Sequence, residues 1–226
     1  MCGRYLLYSS TDSLARAFGL DLDTPPNLEP RYNVAPTQEV VIVKAVEGAR
    51  RLERARWGLI PAWAKDASLG AKMINARSET VHEKPAFRQA FRARRCLVPT
   101  DGFYEWTTEK GAKQPWLLEP ASGGPIGFAG LFERWQSPEG QTIQSCTILT
   151  TEASADIHHL HHRMPVILAP DDHEAWLSGP AEGARTLLRA APVGTLRFRR
   201  VDKRVNKVEH DDPGLIAEAP SQASLL

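Results

Sequence analysis

Cysteine stands directly behind Met1 in the opening stretch Met1-Cys2-Gly3-Arg4. Cutting the Met1–Cys2 bond would leave a terminus with an α-amine and a thiol on adjacent carbons, a pairing no internal residue has. The amine titrates at about 7.7–8.0 and a free thiol at about 8.5, so both are partly nucleophilic near neutral pH. Together they can condense with an aldehyde: the amine gives an imine, and the sulfur closes a five-membered thiazolidine ring. The plainer reading makes Cys2 the second residue of an N-terminal strand, Cys2-Gly3-Arg4-Tyr5-Leu6-Leu7-Tyr8. Taken alone, the N-terminus favours the plainer reading.

Four other stretches carry polar residues where a strand or turn would be apolar. In Asn75-Ala76-Arg77-Ser78-Glu79 an extended backbone puts Asn75 and Arg77 on one face. There the amide could orient an amine or hydroxyl, and the guanidinium could hold a phosphate; an Arg77–Glu79 surface pair is the alternative. In Gly102-Phe103-Tyr104-Glu105-Trp106, Glu105 shares a face with Phe103. A carboxyl among aromatic rings loses hydration and rises toward the range useful for a general acid or base. An exposed strand glutamate is the equal alternative. His158-His159-Leu160-His161-His162-Arg163-Met164-Pro165 holds four histidines in five residues. No cysteine or carboxylate completes a tetrahedral set, so one catalytic histidine is expected rather than a metal. In Trp57-Gly58-Leu59-Ile60-Pro61-Ala62-Trp63 the indoles could stack on unpaired bases or simply fill a core.

The chain that must position these residues has 226 of them, enough for one large domain, with 42% hydrophobic and 24% charged residues. No apolar run approaches the ~18 residues of a membrane span, and no signal-peptide core is expected at the N-terminus. Three cysteines leave one unpaired in any scheme, which argues for free thiols in a reducing compartment; Cys96 and Cys146 read as inert core residues. A net charge of +1 decides nothing about nucleic acid, but two basic runs do form, Arg88-Arg92-Arg94-Arg95 and Arg197-Arg199-Arg200-Lys203-Arg204. Strands are expected at 2–8, 40–46, 52–59, 96–99, 102–106, 116–119, 126–135, 142–151, 165–168 and 196–201. Short helices are expected with Thr11 or Asp12 as N-terminal cap and Leu14 and Phe18 on one face, at 84–95, 153–160, 171–177 and 181–190, and a proline-rich loop at 21–37. Without a βαβ alternation, this composition of elements predicts an α+β fold around a largely antiparallel, barrel-like sheet. From Asp211 onward a loose tail is expected.

In order along the chain come Cys2-Gly3-Arg4, Tyr32-Asn33-Val34-Ala35-Pro36, Trp57-Gly58-Leu59-Ile60-Pro61, Asn75-Ala76-Arg77-Ser78-Glu79 and Lys84-Pro85-Ala86-Phe87-Arg88. They continue with Arg95-Cys96-Leu97-Val98-Pro99, Gly102-Phe103-Tyr104-Glu105-Trp106, Thr150-Thr151, His161-His162-Arg163-Met164-Pro165 and Val205-Asn206. With these motifs in register the sequence resembles the SOS response-associated peptidase (SRAP) family over residues 2–214. The resemblance implies a single SRAP-like domain, residues 1–210, with short peripheral helices and a C-terminal tail at 211–226. It implies a sensor of abasic sites in single-stranded DNA that forms a thiazolidine crosslink through Cys2 and protects the lesion during replication. It also implies a self-processing cysteine peptidase with lyase-like crosslinking chemistry; since only Met1 precedes Cys2, either self-processing or the cell's methionine aminopeptidase could expose the amine. By the same resemblance Cys2 supplies amine and thiol, and Asn75 holds the terminal residue and the sugar. Glu105 is the general acid/base, and His161 assists it. Arg4, Arg77, Arg88 and Arg163 contact phosphates, with Trp106 and Thr150 lining the groove. One position departs from the family pattern: His162 stands where the family commonly has Asp.

The resemblance further implies a monomer with no cofactor or metal, working in the cytoplasm and on the nucleoid when bound to DNA. Two other classes fit parts of the sequence. One is an N-terminal-nucleophile hydrolase of the glutamine amidotransferase kind, which also begins Cys-Gly. The other is a non-covalent single-strand binder in which Cys2 is incidental.

Overall fold

The computed structural model describes residues 2–21 and 27–219. The chain opens with β1 (Tyr5–Leu7), α1 (Thr11–Phe18), β2 (Arg31–Val34), β3 (Glu39–Val46) and β4 (Ala49–Trp57). A 3-10 turn at Ala67–Lys72 leads to β5 (Asn75–Arg77) and α2 (Arg88–Ala93). Five strands follow with little between them: β6 (Arg95–Thr100), β7 (Gly102–Glu109), β8 (Ala112–Pro120), β9 (Ile126–Gln136) and β10 (Thr142–Glu152). Then come β11 (Arg163–Pro165), β12 (Ile167–Leu168), α3 (His173–Ser178), α4 (Ala181–Thr186) and β13 (Leu196–Arg200).

Five of the strands close on themselves. β10 pairs in parallel with β4, and antiparallel pairings then run β4–β3, β3–β6, β6–β9 and β9 back to β10. Closure into a five-stranded barrel leaves these strands without a free edge. The β3–β4 turn at Glu47-Gly48 has φ of 52° and 82°, the positive values that a tight two-residue hairpin turn needs. A second, antiparallel sheet runs β13-β8-β7-β1-β2. The fold is therefore mixed α+β with a largely antiparallel barrel, as the element pattern predicts.

Period-two alternation divides the core between two faces. Val40, Ile42, Trp57, Val98, Phe128 and Ile148 pack with Cys2, Tyr5, Phe103 and Leu118. Their neighbours Val43, Leu97, Ala129, Leu131 and Leu149 pack with Leu14 and Phe18 of α1, Phe91 of α2 and Trp176 of α3. The barrel thus carries the second sheet through one residue set and the helices through the other.

Several local expectations shift. The cap of α1 is Ser10 rather than Thr11 or Asp12, its hydroxyl accepting from Ser13 N–H at 3.3 Å. The expected loop at 21–37 contains β2, and its residues 22–26 lie outside the described residues. The helix expected at 84–95 is confined to Arg88–Ala93, because Arg95 enters β6 and turns its guanidinium onto the carbonyls of Phe91, Arg92, Trp176 and Gly179. Residues 153–160 form turns instead of a helix: Ile157 and His158 both donate to the Ser154 carbonyl, while the Ser154 hydroxyl bonds Asp156. Local side-chain bonds of this kind compete with helix propagation. The strand expected at 165–168 divides, β11 on β10 and β12 on β9, with Val166 bonding both sides.

The segment expected to be a loose tail is anchored from Asp211 to Ala219. The Asp211 carboxylate accepts from the backbone N–H groups of Tyr32 and Asn33 and pairs with Arg31, while Leu215 is fully buried. Glu218 bridges to Val201, and Ala219 N–H donates to Arg200. The remainder of that tail, 220–226, lies outside the described residues.

Candidate active site

Cys2 precedes β1, and β1 fixes what lies beside it. Tyr5 pairs with Phe103 across an antiparallel ladder, and Tyr104 N–H donates to the Arg4 carbonyl at 3.0 Å. Continuing that register brings Glu105 alongside the Cys2-Gly3 end of the strand. Glu105 is buried, and loss of hydration pushes its pKa up to about 7. Cys2 is fully buried too; burial and the charge of Glu105 hold its sulfur as a thiol, well above the ordinary range.

β10 supplies the opposite wall. Its Ile148, packed in the same cluster as Cys2, pairs with Asn75, and Thr150 pairs with Arg77. Ala76 points into the helix-facing core, so Asn75 and Arg77 share the other face, as alternation requires. Asn75 Nδ2 donates to the Ile74 carbonyl at 3.0 Å, while its Oδ1 is buried with no partner among the described residues. Asn75 and Arg77 line an open cleft of about 450 Å³ together with Trp63, Lys84 and Phe87.

His161 lies where the 153–162 turns enter β11. Its Nδ1 accepts the Arg163 backbone N–H at 2.9 Å, and its ring stacks on His162 at 4.4 Å between centroids. Burial lowers its pKa, and the positive charges of His162 and Arg163 add to that. The positive charge of the amino terminus acts on Cys2, Glu105 and His161 alike. Thiol, carboxyl and imidazole, far apart in sequence, therefore share one electrostatic neighbour. Such a grouping can exchange protons around Cys2.

A model of the SOS response associated peptidase (SRAP) family matches residues 1–208. The chain belongs to that family. It is 38% identical over 221 residues to the abasic site processing protein YoqW of Bacillus subtilis, covering 96% of this chain and 99% of the relative. To the abasic site processing protein YoaM of the same organism it is 44% identical over 180 residues, 79% of each chain. The crystal structure of a protein from Bacteroides thetaiotaomicron superposes with a TM-score of 0.87 at 24% identity, covering 97% of this chain and all of that one, which establishes the shared fold.

The SRAP domain treats the other expected site residues unequally. Arg77 and Arg88 are exposed. Arg4 is half-buried: its Nη1 donates to Asn33 Oδ1 at 2.7 Å and to the Val205 carbonyl at 2.8 Å, and its guanidinium lies over Trp106. Trp106 in turn donates its indole N–H to Asn206 Oδ1 at 2.7 Å. The buried Asn33 also donates to the carbonyls of Lys207 and His210. The Tyr-Asn-Val-Ala-Pro and Val-Asn motifs are thus joined by hydrogen bonds that hold the start of β1, a role nothing in their spacing reveals. Thr150 is 1% exposed and lies beneath Arg163, which pairs with Glu79 rather than facing solvent. That pairing also replaces the alternative Arg77–Glu79 pair. Trp57 is core, whereas Trp63 is 60% exposed beside the cleft.

The two basic runs are largely spoken for. Arg197 and Arg199 share Glu119, Arg200 meets Glu109, Arg204 meets Asp212 and Arg94 meets Glu133. Cys96 and Cys146 are free and fully buried, and burial raises both thiols, Cys146 to about 12. Among the described residues no group of three or more His, Cys, Asp or Glu is placed to hold a metal ion, and no helix is long and apolar enough to cross a membrane.

Proposed function

We propose that this protein processes abasic sites in single-stranded DNA by forming a covalent thiazolidine crosslink through Cys2, once the Met1–Cys2 bond is cut. One observation carries the reading: a buried thiol at the chain terminus, coupled to a carboxyl whose pKa is pushed up to about 7. The names of the relatives YoqW and YoaM as abasic site processing proteins support the substrate.

The chemistry is a condensation. The freed Cys2 amine adds to the aldehyde carbon of the ring-opened sugar, giving a carbinolamine. Glu105, poised near neutrality, protonates the departing hydroxyl, and water leaves to form the imine. The imine keeps its N–H proton as an iminium; the Cys2 sulfur then bonds to its carbon, the C=N electron pair returns to nitrogen, and the thiol proton passes to the Glu105 carboxylate. Aldehyde and terminal cysteine become thiazolidine and one water, with no change of oxidation state. Neutral His161 acts as the second proton carrier, its Nδ1 held by Arg163. Asn75 Oδ1, buried and otherwise unsatisfied, accepts from the amine. Arg77 and Lys84 border the cleft as phosphate donors, and exposed Trp63 offers a face for an unpaired base, each stacked base contributing ~1–3 kcal/mol.

Self-cleavage of the Met1–Cys2 bond, the peptidase side of the family, is part of the proposal. Intact mass before and after incubation with an abasic oligonucleotide tests both parts. Loss of one Met and a Cys2-dependent, denaturation-resistant adduct are expected. Protein verified to begin at Cys2 that gives no adduct, or an adduct that survives Cys2→Ala, would overturn the reading.

A further inference from the structure

Arg163 is already occupied in the free protein. Its Nη1 and Nη2 meet the two carboxylate oxygens of Glu79 at 2.6 and 3.0 Å, and Nη2 also donates to the Thr150 carbonyl at 2.6 Å. The Arg163 side chain is 14% exposed and Glu79 is 50% exposed, so the arginine is built in and the carboxylate sits on the solvent side. Arg163 Nε is buried and has no partner among the described residues, so the fork is not saturated. Carboxylate and phosphate diester offer a guanidinium the same pair of oxygens, and each forms the bidentate contact.

The Glu79 carboxylate also accepts from its own backbone N–H and from the Ser78 hydroxyl, both local bonds that leave the strand before it anchored elsewhere. Ser78 N–H donates to the same Thr150 carbonyl at 2.9 Å and pins the chain one residue earlier. Asn75 and Arg77, on β5 just before it, both line the cleft. Glu79 can therefore swing away while β5 and the cleft stay in place. We propose that Glu79 is an internal stand-in for a DNA backbone phosphate. It holds the Arg163 fork in its docked orientation and departs when a phosphate takes its place.

This rests on the reading of single-stranded DNA as the ligand. A strand must then displace a carboxylate to reach Arg163. Glu79 lowers affinity while keeping the site assembled.

The experiment measures equilibrium binding of a fluorescent single-stranded oligonucleotide, undamaged and abasic. Glu79→Gln is expected to tighten binding roughly two- to fivefold, the span of a weak, half-exposed ion pair. Glu79→Asp keeps the charge but shortens the reach, so it should fall between, and it serves if the glutamine variant folds poorly. Arg163→Gln should weaken binding, and the gain from Glu79→Gln should vanish in the double variant, because it acts through that arginine. Weaker or unchanged binding by Glu79→Gln and Glu79→Asp, or a gain that persists without Arg163, overturns the proposal. Wild-type protein that neither retains nor crosslinks abasic DNA would instead overturn the functional reading itself.

Discussion

Tyr104 donates its backbone N–H to the carbonyl of Arg4 at 3.0 Å, and that bond sets the register that puts Glu105 beside Cys2. A slip of one residue would turn Glu105 to the opposite face, where Tyr104 packs with Leu6 and Leu117. Burial of a titratable carboxyl and its place beside Cys2 are consequences of the same pairing.

Glu105 should therefore cost stability as it ionises. Its folded pKa, about 7, stands above its ordinary 4.5. The folded chain holds this proton more tightly than the unfolded chain, so the stability is present below about 4.5 and lost as pH rises through about 7. Glu105→Gln removes that titration and should exceed wild type by about 3 kcal/mol at pH 8 relative to the difference at pH 4. Urea denaturation at the two pH values reads the gap directly. The same variant should slow crosslinking by about 10²-fold or more.

His173 should act with the opposite sign. It stacks on Phe18 at 5.4 Å between ring centroids, and burial lowers its pKa below the ordinary 6.5. The unfolded chain then binds the proton more readily, so stability is full above about 6.5 and falls as pH drops toward the folded value. His173→Phe keeps the stacking without the charge. Its melting temperature should fall less than that of wild type between pH 7 and 5; equal losses would exclude His173 as a source of acid lability. His161, also lowered, contributes in the same direction and remains in both proteins.

Asn75→Ala should separate function from stability. Nδ2 is bonded to a neighbouring carbonyl, but Oδ1 has no partner among the described residues, so truncation should change stability by less than ~1 kcal/mol. Crosslinking should nevertheless drop at least tenfold in single-turnover assays. A large loss of stability with a normal crosslinking rate would make Asn75 a packing residue.

Asp211→Ala tests the anchored C-terminal segment. The substitution strips partners from two backbone N–H groups of β2 and from Arg31, and should cost about 2–4 kcal/mol in denaturant melts. Truncation after residue 210 should cost at least as much, since it also removes buried Leu215. A truncated chain as stable as the whole would contradict this anchoring.

Much of the fold is legible because strands announce themselves locally. The alternating runs at 40–46, 126–135 and 142–151 name their own period, and the antiparallel turns between them contain Gly or Pro. α1 follows in the same way from Leu14 and Phe18 on one face. The sequence misses β2, whose backbone N–H groups are held by Asp211, 179 positions from Tyr32. It also misses the division of β11 from β12, which depends on two different partner strands.

The candidate site divides along the same line. Residue types alone determine that a cysteine behind the initiator Met can present an amine and a thiol, and that Asn75 and Arg77 share a face. The ordered motifs determine the family. Tertiary structure decides what each charge is worth, because charge and burial depend on partners that the chain brings from far away. Glu105 is raised by the burial that folding imposes on it. Arg163 is held by Glu79, 84 positions away, and Arg4 by Asn33 and Val205. Arg197 and Arg199, which read as a basic patch, are paired through Glu119 on the neighbouring strand. Local sequence carries chemical identity; hydration and pairing are set only when distant segments meet.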